Sequence, residues 1–172
     1  MHVLIRRLYS SFKQRKMRSL KKLVDLFAEE VMKSSSKLAF RLSLLSYVLA
    51  KLITKTRFFE GEMKERMDEI ADLLEKLVRK VDETTLDEIE KTIIGMERED
   101  ARFVFDLFTK GRVKIAALLY AKGMSLGKVS KLSGIPKQEI LAYAGKTMMF
   151  DRLKNEVPVK KRLKVARSLL GD

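Results

Sequence analysis

The sequence contains no cysteine and a single histidine, His2, beside the first Met. Disulfides and thiolate metal sites are therefore excluded, as are His-cluster zinc sites and His-based acid/base pairs. Most enzyme classes thus lose their usual reagents, and neither a phosphate-binding glycine loop nor an activated nucleophile replaces them. No catalysis, cofactor or metal is expected. Only two prolines and eight glycines interrupt the 172 residues, and β-branched runs are few, so the composition favours helices over strands. Long apolar runs are also missing. The richest stretch, "LSLLSYVLA" (Leu42–Ala50), is closed by Arg41 and Lys51; it reads as a buried helix, and no membrane association is expected. Cysteine-free and rich in Lys and Glu, the chain suits a cytoplasmic protein, archaeal or thermophilic in character.

What is abundant is charge, and its distribution is uneven. Residues 1–59 hold 14 basic and 3 acidic residues, net +11; 60–106 hold 8 and 16, net −8; 107–172 hold 15 and 4, net +11, for +14 overall. Both ends are suited to a polyanion, whereas the middle suits a solvated helical surface or a basic partner. The start, "MHVLIRRLYSSFKQRKMRSLKK", imitates a mitochondrial transit peptide in being Arg-rich and acid-free, yet it runs on into a helical pattern without a break.

With 46% hydrophobic residues the chain can bury a full core. The expected fold is all-α: a helical bundle or long helical hairpin over residues 1–109, with a basic N-terminal arm, followed by a helix-turn-helix module with a basic C-terminal helix over 110–172. A first helix is expected from Val3 to Met32, with Leu20, Val24, Phe27 and Val31 on its apolar face. Its basic start, in which Tyr9 and Phe12 lie between Arg6, Arg7, Lys13, Arg15, Lys16 and Arg18, fits two descriptions: an arm tracking phosphates, or an exposed helix whose aromatics dock on the core. "KSSSK" (Lys33–Lys37) breaks the chain and caps a second, core helix over Leu38–Thr54. After "FFEGE", an amphipathic helix over Met63–Val81 is followed by "DETT", where Thr85 and Glu88 have capping-box spacing and a second, antiparallel helix starts. The faces carrying Leu42, Leu45, Leu49 and Leu52, and Leu74, Leu77 and Val78, offer apolar area for a homodimer. The acids Glu97, Glu99 and Asp100 are adjacent but point in different directions on a helix, which suits a solvated surface better than a metal or paired-carboxylate site.

The C-terminal part carries the most specific pattern. Gly111 is expected to open the helix "RVKIAALLYAKG", which Gly123 closes as a C-terminal cap. Ser125 then caps a short helix with Val129 and Leu132 on one face, Ser133–Ile135 turn, and Pro136 starts the next helix. A helix-turn-helix requires a small residue where its helices touch, a Gly four positions later for the left-handed turn, and an aliphatic residue six beyond that. Ser130, Gly134 and Ile140 stand at those spacings. Further on, Val157 and Pro158 mark a turn before a last helix with Lys160, Lys161, Arg162, Lys164 and Arg167 on its basic side.

This register resembles the helix-turn-helix of phage-repressor and resolvase-type proteins, with Ser130 in place of the usual Ala. The segment "AALLYAKGMSLGKVSKLSGIPKQEILAYA" is more closely similar to the helix-turn-helix of a family of small prokaryotic antitoxins, through Tyr120, Gly123, Ser125, Leu126, Gly127, Lys128, Leu132 and Gly134. That resemblance covers about thirty residues, roughly 115–146. It implies operator DNA binding, hence a transcriptional regulator or antitoxin-like repressor, and a toxin-like protein partner. In this reading Lys137, Gln138 and Leu141 meet base edges in the major groove, while Lys128, Lys131 and Lys146 contact phosphates of duplex DNA. The competing classes are a non-enzymatic helical adaptor that binds a protein partner, and an RNA-binding helical protein.

Overall fold

The protein is described by a computed structural model for residues 1–99 and 107–150. The tail beyond Phe150, with its expected last helix, lies outside the described residues, as do Asp100 and the side chains of Glu97 and Glu99. The described part is all-helical: α1 (His2–Lys13), α2 (Met17–Ser34), α3 (Lys37–Leu52), a 3-10 turn (Thr56–Phe59), α4 (Gly61–Arg79), α5 (Glu83–Glu99), α6 (Leu107–Ala121), α7 (Leu126–Ser133) and α8 (Lys137–Lys146). No helix among the described residues is long and apolar enough to cross a membrane.

The helix expected over Val3–Met32 is two helices, which meet at Gln14–Lys16. Arg15 takes the left-handed conformation (φ 51°); its N–H donates to the Phe12 carbonyl (2.9 Å), and the Lys16 N–H donates to that of Ser11 (2.8 Å). This hydrogen-bond pair normally closes a helix at glycine. The reason lies in the phase of the apolar face: in an unbroken helix the stripe Ile5, Leu8, Phe12 would continue through Arg15, Lys16 and Ser19. Breaking the chain lets α1 bury Ile5, Leu8 and Phe12 while α2 separately buries Leu20, Leu23 and Phe27. The elbow is pinned by a 2.7 Å hydrogen bond between the Ser11 and Ser19 hydroxyls and by the Arg15 guanidinium, 3.5 Å above the Phe59 ring. Phe12 is buried, and the Tyr9 hydroxyl donates to Glu75 (3.1 Å), so both aromatics of the basic N-terminal segment are engaged with the body of the protein.

Helices α2 and α3 form a shared wall between two apolar clusters. Leu20, Leu23 and Phe27 of α2 join Leu42, Leu45 and Leu49 of α3 in one cluster with α1, α4 and α5. The adjacent row Val24, Ala28, Val31, with Ala39 and Phe40 of α3, joins α6, α7 and α8 in the other. Ser43 donates to the Val24 carbonyl (2.9 Å), satisfying a buried hydroxyl across the wall. As its sequence suggests, α3 is buried on several faces, and Ser36 caps it, accepting from the Ala39 N–H (3.3 Å). The leucines at 42, 45, 49, 52, 74 and 77 are all buried within the single chain. Val78, with Leu74 and Leu77 on the apolar face of α4, is half-buried against the cluster they share.

Helices α4 and α5 are antiparallel, bridged by Lys76–Glu88 (3.1 Å) and by Thr92 donating to Glu69 (3.1 Å). The cap of α5 is Asp82 rather than the expected Thr85: its carboxylate accepts from the Thr85 N–H (2.7 Å) and hydroxyl (3.0 Å). These bonds, the backbone one foremost, hold the Asp82 pKa below its ordinary value. Asp accepts at least as well as Thr at this position, and the helix starts three residues earlier than the capping-box spacing suggests. Arg41 ties α3 to α5 with a fork to Asp87 (2.6 Å) and Glu90 (3.0 Å).

Gly111 does not open α6 but lies inside it, where the helix presses against α3: a Cβ there would stand 2.6 Å from Leu44 Cδ1 and 3.0 Å from Tyr47 Cδ1. The residue is small for packing rather than for starting a helix. Gly123 does close α6 (φ 103°), with the Met124 N–H donating to the Leu119 carbonyl (3.1 Å).

Candidate nucleic-acid interface

The site residues expected from the sequence fall on α7 and α8, on either side of a short turn. Helix α7 begins after Ser125, which has the extended backbone of an N-cap although its side chain makes no capping bond. It buries Val129 and Ser133 and ends at Gly134, left-handed at φ 71°, whose N–H donates to the Ser130 carbonyl (2.9 Å). A Cβ at Gly134 would meet no atom within 4 Å, so glycine is required here by backbone conformation alone.

Two serines hold the turn. Ser130 donates through its hydroxyl to the Ile135 carbonyl (2.7 Å), and Ser133 accepts from the Ile135 N–H (3.2 Å) while donating to the Val129 carbonyl (2.8 Å). Both backbone groups of Ile135 are thereby satisfied as its side chain enters the core. Ser130 is thus half-buried between the helices and supplies a bond to the turn that an alanine there would lack. Pro136 precedes α8 as its N-cap instead of starting it, so the helix begins one residue later than expected. Beneath, Ile140 and Ala144 are buried, packing on the cluster of Val113, Ile115, Ala116 and Leu119 from α6.

All six expected residues, Lys128, Lys131, Lys137, Gln138, Leu141 and Lys146, are exposed. Among the described residues none of the four lysines has an ion-pair partner. Lys128 and Lys131 lie three apart on α7, opposite its buried residues, and Lys137 and Lys146 bracket α8. Leu141 is 43% exposed.

Two residues escaped the sequence reading. Ala142 and Gly145 are exposed and share a face with Gln138 and Leu141 at spacings of three, four and seven. That face is uncharged and low in profile toward its C-terminal end, so the helix backbone can approach a partner closely. The spacing itself was the available signal; small residues attract no attention when only charged and hydrogen-bonding groups are sought. Glu139, the one acid of α8, sits in its first turn, where it complements the helix dipole.

Comparison with models of known families, with curated proteins and with solved structures yields no match.

Proposed function

We propose that the chain is a non-enzymatic DNA-binding protein of the transcription-regulator type, antitoxin-like in its C-terminal segment, in which α7 and α8 act as a helix-turn-helix. The single observation that carries this reading is the conjunction at one turn: left-handed Gly134 and hydroxyl-pinned Ile135 set α8 against α7, while Gln138, Leu141 and four lysines unpaired among the described residues face outward. Geometry without charge would leave a packed helical hairpin; the unpaired cations direct it to a polyanion.

In this reading α8 enters the major groove. Gln138 pairs bidentately with an adenine, Lys137 with a guanine, and Leu141 covers a thymine methyl, with Ala142 and Gly145 allowing close approach. Lys128, Lys131 and Lys146 neutralise flanking phosphates and fix register without reading sequence. The test is a titration of duplexes, specific and random, at several salt concentrations. Gln138→Ala should cost about 1 to 3 kcal/mol at a selected site and almost nothing on random duplex. Lys128→Ala and Lys131→Ala should weaken all duplexes alike, each lowering the slope of log K against log salt by about 0.9. Protein that shows no salt-dependent retention on duplex at low ionic strength, yet holds a protein partner, would transfer this surface to the adaptor class.

A further inference from the structure

Away from α7 and α8, the elbow between α1 and α2 encloses a groove of about 380 Å³ lined by Arg7, Lys16, Met17, Arg18, Ser19 and Lys22. Four of the six are cations and none is an acid; the chain has no acidic residue before Asp25. Arg6 and Lys21 lie exposed on the same two helices. Among the described residues, no carboxylate pairs with Arg6, Arg7, Lys16, Arg18, Lys21 or Lys22. This contrasts with the acidic helices, where Lys76 and Arg79 are each paired with a glutamate.

We infer that this elbow groove is a second binding surface for the phosphodiester backbone of duplex DNA, separate from α7 and α8. The inference rests on DNA being the partner, as proposed above. Self-repulsion among closely set cations disfavours the compact state, and among the described residues no acid pairs with them to relieve it, so the arrangement suits an external polyanion. Several cations on two helices match a backbone carrying one negative charge per about 1.7 Å of duplex axis better than they match one small anion. The groove is also preformed. The left-handed turn at Arg15, the Ser11–Ser19 hydroxyl bond and the Arg15–Phe59 stack hold α1 and α2 at a set angle, so Arg7 on one helix and Arg18 and Lys22, one turn apart on the other, keep their separation before binding. A bilayer is the poorer fit: Ile5, Leu8 and Phe12, the apolar face of α1, are buried in the core, and among the described residues Met17 alone is an apolar lining of the groove.

The experiment compares the full chain with Arg18→Gln/Lys22→Gln, with Lys128→Gln/Lys131→Gln, and with the control Lys64→Gln/Lys91→Gln on the acidic helices, by duplex titration across salt. The groove pair should lower the salt slope by about 1.8 and affinity for all duplexes on the order of tenfold, leaving specific-to-random discrimination unchanged. The control should match the wild type. In the unmodified protein, bound duplex should shield Lys16 and Lys22 from an amine-acylating reagent, a readout independent of any substitution. If the α7 pair weakens binding while the groove pair does not and Lys16 and Lys22 stay reactive, the groove inference falls and the reading of α7 and α8 stands. If the groove pair alone weakens binding, the groove inference stands and that reading falls. Absence of any duplex binding overturns both, and capture of anionic vesicles instead of duplex, lost in the groove pair, reassigns the groove and overturns the inference.

Discussion

Gly111→Ala sets two effects of known size against each other. In a helix interior alanine is favoured over glycine by about 0.8 to 1 kcal/mol, so the substitution on an open face of α6 would stabilise the protein. Gly111, however, faces α3, where the new methyl carbon would lie 2.6 Å from Leu44 Cδ1 and 3.0 Å from Tyr47 Cδ1, against an optimum of about 3.5 to 4.0 Å. Leu44 is 2% exposed, so its methyl can move aside only within the core. Tyr47 can yield outward, but only by disturbing the Lys114 ammonium, 4.7 Å from its ring. Overpacking of this kind costs about 1 to 3 kcal/mol, which outweighs the propensity gain and leaves a net loss of about 1 kcal/mol. The assay is urea unfolding followed by helical circular dichroism, with midpoints compared at constant slope. A double-mutant cycle isolates the contact: Leu44→Ala alone should cost about 2 to 5 kcal/mol, but less in the Gly111→Ala background, because the added methyl occupies part of the vacated space. Stabilisation by the full helix-propensity gain, together with zero coupling to Leu44, would refute the close approach of α6 to α3.

Arg41→Ala should destabilise by about 1 to 3 kcal/mol by the same assay, since it leaves Glu90 half-buried without its partner; Arg41→Lys should recover only part of this, as an ammonium cannot make both fork bonds, and equal stability of all three proteins would refute it. Gly134→Ala should cost about 1 kcal/mol through the left-handed backbone alone, with Gly134→Asn costing less; because no atom crowds the site, a loss well beyond about 2 kcal/mol would contradict this account. Asp82 has a lowered pKa in the folded protein through its bonds from Thr85, so its contribution is present in full above the ordinary carboxylate value of the unfolded chain and disappears as pH falls through the lowered folded value. The stability difference between wild type and Asp82→Ala should accordingly be constant near neutrality and shrink in acid, and a difference that grows on acidification would reverse the assignment.

The helices themselves were legible because helix formation depends on neighbours three and four residues away. Ser36, Gly123, Ser125 and Gly134 mark their boundaries by the same local rules, and the register Ser130–Gly134–Ile140 is visible at once. So is the exposure of Lys128, Lys131, Lys137, Gln138, Leu141 and Lys146, since a buried stripe on a helix implies its opposite face. The elbow at Arg15 was not legible in this way: no glycine or proline announces it, and the sign was a mismatch of phase between two apolar stripes that only a common core makes costly. Gly111 reads locally as a helix start, and only α3 lying against it shows that the missing side chain makes room for Leu44 and Tyr47. Likewise the sequence of α2 contains two adjacent apolar rows, but their assignment to different clusters depends on helices far along the chain. Arg41 meets Asp87 and Glu90 across 46 and 49 residues, a separation at which no local pattern operates. Local hydrogen bonding and side-chain period determined where the helices and the candidate site lie; long-range packing, which settles which faces can exclude water together, decided how they are joined.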